Sequence, residues 1–236
     1  MSNTTPKPVL RATGIKRYFE DGTRTLTVLD DVDAELNPGE VVALVGRSGT
    51  GKSTLLHLLG LLDKPNEGQI IIDEKDATAM SEPEQARLRN QTLGFVFQHY
   101  FLLPEFNVLE NLLIPARIAT GLASWMGKEK SIAEDRAKTL LEMVELSSHA
   151  KQKPGTLSGG ERQRVAVARA MMLKPRILLC DEPTGNLDPE SGARIMSMLY
   201  TLARQDGVAA LVVTHDLSLA DKASRVLRLE NGRLNT

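Results

Sequence analysis

The sequence predicts an α/β fold in which a mostly parallel sheet is covered by helices, and three observations predict it. Three short apolar runs, Val41–Val45, Ile177–Cys180 and Val208–Val213, have the composition of strands buried on both faces. The second and third each follow a helical pattern, the alternation that builds parallel sheets. A glycine-rich loop, Gly46-Arg47-Ser48-Gly49-Thr50-Gly51-Lys52-Ser53, follows the first run and opens an apolar helix from about Lys52 to Leu62.

Taken in order, Val9–Leu36 carries short alternating segments such as Thr25–Leu29, read as strands of an N-terminal antiparallel β unit joined at Glu20-Asp21-Gly22. Gly94–Gln98 is a further strand. Between Phe106 and His149 the pattern turns helical, with Trp125 and Met126 in its middle, which reads as an inserted helical subdomain. Leu157-Ser158-Gly159-Gly160-Glu161-Arg162-Gln163 is a loop leading into a helical run from Glu161 to Leu173. Arg225–Leu229 alternates and ends at Asn231-Gly232, a hairpin signal. No repeat or Gly/Ser linker divides the chain, so residues 1–236 read as one domain with a helical insertion at about 99–158.

The bulk numbers exclude several classes. At 236 residues the chain can bury a sizeable core, and a net charge of −1 provides no global field for nucleic acid or anionic lipid. The single cysteine, Cys180, lies in an apolar run and reads as a small buried hydrophobe. Met1–Pro8 has no signal-peptide pattern, and Leu55–Leu62, interrupted by His57 and Gly60, is far too short to span a bilayer. If the protein works at a membrane, another chain supplies the span.

The loop Gly46–Ser53 has the G-x-x-x-x-G-K-S pattern of a phosphate cradle. Glycines at 46 and 51 admit close backbone approach, Lys52 supplies charge for terminal phosphates, and the Ser53 hydroxyl can ligate Mg²⁺. Asp181 and Glu182 end a buried strand at the edge where ligands collect in open parallel sheets. Asp181 is placed to hold Mg²⁺ and Glu182 to polarise an attacking water. His215, after another buried strand, can reach the same edge and donate to a γ-phosphate. Gln98 ends a strand that hands over to the insertion, where its amide can touch Mg²⁺ or the water. Ser158, Gly159 and Gly160 present a hydroxyl and free N–H groups before a helix, a second anion-binding surface. Two phosphate-recognising loops with one lysine between them suggest that each nucleotide is held between two copies of the chain.

In order and approximate spacing, these motifs resemble the nucleotide-binding domain of ABC transporters over nearly the whole chain. The resemblance implies an ATPase that uses ATP and Mg²⁺, with an N-terminal antiparallel β subdomain and an inserted helical subdomain on a P-loop core. It implies that Tyr18 stacks on adenine, with Phe19 as its neighbour, and that Arg47, Ser48, Gly49, Thr50 and Thr54 complete the cradle. Ser158 and Gly160, with Gly159, would contact the γ-phosphate held by the opposite subunit of a homodimer. Gly185-Asn186-Leu187-Asp188 resembles the loop that crosses that interface, with Asp188 linking the two sites.

A narrower likeness rests on Leu88–Gln98, Leu102–Phe106, Leu109–Asn111, Glu182–Asp188 and Val212–Leu217. These segments resemble the ATPase of bacterial lipoprotein-releasing systems (LolD) and its macrolide-exporter and cell-division relatives. Ala119–Lys130 departs from that pattern. The group implies integral-membrane permease partners, a peripheral place on the cytoplasmic face of the bacterial inner membrane, and no nucleic-acid partner. The run His99–Phe106 is too apolar for an ordinary solvated loop. It reads either as packing of the helical insertion onto the core or as a docking groove for a short permease helix, and the docking groove is the favoured reading. The rival class, a soluble ABC ATPase acting on nucleic acid or ribosomes, usually has two cassettes, long coiled coils or zinc cysteines. A GTPase would carry N-K-x-D, which is absent.

Overall fold

The structure, a computed structural model, describes residues 7–22, 24–121, 124–216 and 220–235. β1 (Leu10–Asp21) and β2 (Arg24–Leu36) form one long antiparallel hairpin, not the short segments expected, because pairing continues through register shifts between Ala12 and Tyr18. Burial alternates along β2 only from Asp31 onward. The alternation at Thr25–Leu29 therefore misleads: Leu26 is 66% exposed. β4 (Glu67–Ile72) pairs with β1, and β5 (Lys75–Asp76) with β4, giving an antiparallel sheet ordered β2-β1-β4-β5. Half of this sheet thus comes from chain that follows the glycine-rich loop.

β3 (Val41–Val45), β6 (Leu93–Phe97), β7 (Ile177–Asp181), β8 (Ala209–Val213) and β9 (Arg225–Glu230) form the parallel core, in the order β9-β3-β8-β7-β6. β10 (Arg233–Asn235) adds an antiparallel edge through the turn at Asn231-Gly232, both at positive φ. Successive core-strand residues face opposite sides. Ile177, Leu179, Leu211 and Val213 join one hydrophobic core, and Leu178, Cys180, Ala210 and Val212 the other. The first core lies between this sheet, the antiparallel sheet and α1 (Lys52–Leu59). The second is covered by α3 (Val108–Thr120), α4 (Lys128–Met143), α5 (Gly159–Ala170) and α6 (Pro189–Gln205). Each fully buried Leu, Ile or Val contributes about 1.5–3 kcal/mol. Cys180 is fully buried, and burial pushes its thiol well above the ordinary range.

Two helix boundaries differ from expectation. α1 stops at Leu59 rather than Leu62: the Gly60 N–H donates to Leu56 O at 2.8 Å, and Leu61 turns out at φ 56°. A Cβ at Gly60 would lie 2.6 Å from the Phe95 ring, so this glycine permits the close approach of α1 to β6. α5 begins at Gly159 and ends at Ala170, whereas its apolar pattern reads from Glu161 to Leu173, because Ser158 is its N-cap. The connection from α3 to α4 holds Trp125 half-buried and Met126 73% exposed. α2 (Glu82–Thr92) leads directly into β6. Among the described residues, no helix is long and apolar enough to cross a membrane.

Candidate nucleotide site

Parallel pairing brings the C-terminal ends of β3, β8, β7 and β6 to one edge of the sheet. That edge gathers the loop 46–53, His215, Asp181-Glu182 and Gln98. In the loop, Arg47, Ser48, Gly49 and Ser53 are exposed, while Gly46, Thr50, Gly51 and Thr54 are half-buried and Lys52 is buried. The two motif glycines have a reason that sequence could not supply. A Cβ at Gly46 would lie 2.5 Å from Leu229 O of β9, and one at Gly51 (φ 99°) 2.9 Å from Val28 of β2. Neighbouring strands, as well as any phosphate, therefore demand glycine there. Lys52 Nζ donates to Gly46 O at 3.0 Å and Arg47 O at 2.9 Å, so the ammonium lies across the loop's own carbonyls. Thr50 Oγ1 donates to Arg47 O at 3.0 Å.

Ser53 Oγ donates to Asp181 Oδ1 at 3.1 Å, joining the start of α1 to the end of β7. Burial raises the Asp181 carboxyl above its ordinary range, against the opposing pull of this hydrogen bond and the charges of His57 and Lys52. A hydroxyl and a half-buried carboxylate in contact make an oxygen donor set suited to a hard divalent cation. Glu182 sits at φ 45°, a left-handed conformation that costs about 1–3 kcal/mol in a non-glycine residue. Its N–H donates to Val213 O at 3.0 Å, its own carbonyl accepts from Gly185 N at 3.0 Å, and its Oε2 lies 3.2 Å from His215 Nδ1. The side chains of Gln98 and Asn186 are hydrogen-bonded at 3.1 Å.

The remaining predicted residues stand apart. Ser158 caps α5: its Oγ accepts from Glu161 N at 3.2 Å, and Glu161 Oε2 accepts from Ser158 N at 2.7 Å. This leaves the N–H groups of Gly159 and Gly160 at a helix start. A Cβ at Gly159 would meet Tyr100 Oη at 3.2 Å, and one at Gly160 would meet Ser191 Oγ at 3.4 Å. Among the described residues, no hydrogen bond joins 158–160 to the loop 46–53. Asp188 caps α6, accepting from Ser191 N at 3.0 Å, and that bond holds its carboxyl below the ordinary range. Tyr18 pairs with Thr27, next to the Val28 that abuts Gly51, and its N–H donates to Asn66 Oδ1 at 3.0 Å. Phe19 is 47% exposed, with the Arg17 guanidinium 4.6 Å from its ring centre.

The run His99–Phe106 divides in the structure. Tyr100 lies under Arg162 (5.3 Å), and both it and Phe101 adopt positive φ, held by the Arg169 guanidinium donating to their carbonyls. Leu103 and Phe106 line a cavity of about 700 Å³ with Ile114, Ile118 and Trp125. A neighbouring cavity of about 390 Å³ lies between β6, α3 and α5, lined by Phe95, Phe97, Pro115, Ile118 and Arg169. Sequence reasoning missed Asn111, which is fully buried. Its side chain accepts from Leu103 N at 2.8 Å and donates to the carbonyls of Leu103, Phe106 and Asn107, all within 3.2 Å. Nothing in a one-turn helical pattern distinguishes such an asparagine from a solvated one.

The family model described as ABC transporter matches residues 29–185. The lipoprotein-releasing system ATP-binding protein LolD of Shewanella oneidensis is 46% identical over 226 residues, covering 96% of this chain and 95% of that one. The LolD of Idiomarina loihiensis is 47% identical over 227 residues, covering 96% of each. Among solved structures, the dimeric bacterial ABC transporter cassette MJ0796 superposes with a TM-score of 0.86 at 36% identity, covering 96% of this chain and 97% of that one. A second structure of that cassette, a dimer in a post-hydrolysis state bound to ADP and Pi, gives the same TM-score of 0.86. This chain therefore belongs to the ABC transporter family, as the ATP-binding subunit that hydrolyses ATP.

Proposed function

We propose that the chain is the ATPase of a lipoprotein-releasing transporter, acting as a homodimer beneath a permease on the cytoplasmic face of the bacterial inner membrane. The observation that carries the homodimer is the separation of two half-sites in one chain. Lys52, Ser53, Asp181, Glu182 and His215 gather at the sheet edge, while Ser158–Gly160 form a helix start that, among the described residues, makes no hydrogen bond to them. A second copy, head to tail, would set its Ser158 and Gly160 N–H groups against the γ-phosphate. The cargo class rests on the relatives, 46–47% identical over nearly the full chain and described as lipoprotein-releasing.

In this reading Tyr18 stacks on adenine, and Gly46–Thr54 cradle the phosphates, with Lys52 leaving its loop carbonyls for the terminal phosphates. Ser53, Asp181 and Gln98 would hold Mg²⁺, which would supply positive charge against the phosphates. Glu182 takes a proton from water as the water oxygen bonds to the γ-phosphorus and the bond to the bridging oxygen breaks, releasing ADP and phosphate. His215, placed against Glu182, donates to the γ-phosphate. Closure completes the site, so hydrolysis waits on dimerisation. The adjoining apolar cavities at Phe97–Ile118 and Phe106–Trp125 are the surface for a permease helix.

Proteoliposomes holding the chain and its permease, preloaded with an acylated lipoprotein, test the cargo. ATP-dependent release to a soluble acceptor is expected. Absence of release, with ATP-driven efflux of a macrolide instead, would move the chain to the exporter branch.

A further inference from the structure

Gln98 and Asn186 form a closed ring of two hydrogen bonds. Asn186 Nδ2 donates to the backbone carbonyl of Gln98 at 3.1 Å, and Gln98 Nε2 donates to Asn186 Oδ1 at 3.1 Å. The first bond decides the second. A carbonyl can only accept, so Asn186 must turn its nitrogen toward Gln98 O and therefore its oxygen toward the Gln98 side chain. Gln98 must answer with nitrogen, which leaves Oε1 on the opposite side. Gly185 closes the nitrogen side: a Cβ there would lie 2.8 Å from Gln98 Nε2, 3.2 Å from Gln98 Cδ and 3.2 Å from Glu182 Oε2. Gln98 and Glu182 thus flank the same glycine. Among the described residues, no hydrogen bond occupies Gln98 Oε1.

An amide can meet a divalent cation only through its oxygen. We infer that Asn186 is a positioning residue: it sets the Gln98 amide with Oε1 toward the cation and water position, and so ties that ligand to the loop 185–188. This inference rests on the reading of Gln98 as a Mg²⁺ ligand. It adds a residue whose side chain touches neither nucleotide nor metal, and it makes any movement of the loop beside Asp188 a movement of Gln98.

Calorimetric titration of the purified chain with the non-hydrolysable analogue AMP-PNP, once with Mg²⁺ and once with EDTA, measures the affinity gained from the metal without turnover. Gln98→Ala lowers that gain. Asn186→Ala lowers it by about threefold to tenfold, the range of one fixed hydrogen bond, while affinity in EDTA stays at the wild-type value. In the double variant the loss equals that of Gln98→Ala alone, because Asn186 acts only through Gln98. Gly185→Ala, with Asn186 intact, reproduces the loss by displacing Nε2, which guards against a folding defect in the first variant. An unchanged gain in Asn186→Ala, or losses that add in the double variant, overturns the role of Asn186 while leaving Gln98 a ligand. An unchanged gain in Gln98→Ala overturns both the ligand reading and the inference.

Discussion

Glu182 combines a left-handed backbone with a side-chain contact to a histidine 33 residues away. Strain of that kind persists where the surroundings enforce it, here through the bond from Glu182 N to Val213 O of β8. Glu182→Gln keeps shape and removes the proton acceptor. Phosphate release should fall by at least about a hundredfold while ATP still binds, and gel filtration with ATP should show a trapped dimer. Turnover at the wild-type rate would remove Glu182 from the chemistry. Asn111 works differently, by pinning residues 103–107 with side-chain hydrogen bonds. Asn111→Ala orphans those backbone groups and should cost about 2–3 kcal/mol, read from the urea midpoint. A loss under about 0.5 kcal/mol would mean that the loop is held without it.

Helix α5 ties the second core to β6 and to the chain on both sides of Gln98. Its N-terminus is the capping box of Ser158 and Glu161, and further along Gln163 donates to Phe97 O at the end of β6 while Arg162 and Arg169 grip Tyr100 and Phe101 beyond Gln98. Burial lowers the Arg169 guanidinium to about 10, still charged at neutral pH and so able to hold the two left-handed carbonyls. The Glu161 carboxyl is held low by the Ser158 N–H and hydroxyl. Its lowered folded-state pKa makes the sign definite. The charge contributes stability above the ordinary carboxylate range, and that contribution is lost as pH falls through the lowered value. Glu161→Gln, which keeps the cap's acceptor but not its charge, should therefore melt below wild type at pH 7, with the gap closing under strongly acidic conditions. A gap independent of pH would assign the effect to packing.

At the scale of the whole molecule, no hydrogen bond among the described residues joins Ser158–Gly160 to the phosphate loop, and on the proposed reading activity should depend on pairing. Ser158→Arg leaves the phosphate loop intact but puts a bulky cation where a partner's γ-phosphate would lie. Lys52→Ala removes charge from the loop itself. Each variant alone should lose ATP hydrolysis at least about a hundredfold, with Ser158→Arg still binding ATP as a single chain. Mixed, head-to-tail heterodimers gather both lesions in one site and leave the other whole, so a measurable fraction of turnover should return. Normal hydrolysis by Ser158→Arg alone would refute the shared site.

The chain by itself determined the parallel core, because Val41–Val45, Ile177–Cys180 and Ala209–Val213 are apolar on both faces and only a covered sheet accommodates that. It also determined which residues reach one edge, since strand-end motifs such as Asp181-Glu182 and His215 are positioned by the strands before them. Local pattern failed where distant chain decides. Thr25–Leu29 alternates and is a strand, yet Leu26 lies in solvent, because burial along β2 begins only at Val28. Tyr100 carries no local sign of the Arg162 guanidinium that packs over its ring from across the chain. Gly46 and Gly51 read as room for phosphate, and only the packed strands reveal Leu229 and Val28 behind them. The orientation of Gln98 was beyond any linear reading. It depends on an asparagine 88 residues away, and the tertiary structure alone brings that amide to the carbonyl that decides its direction.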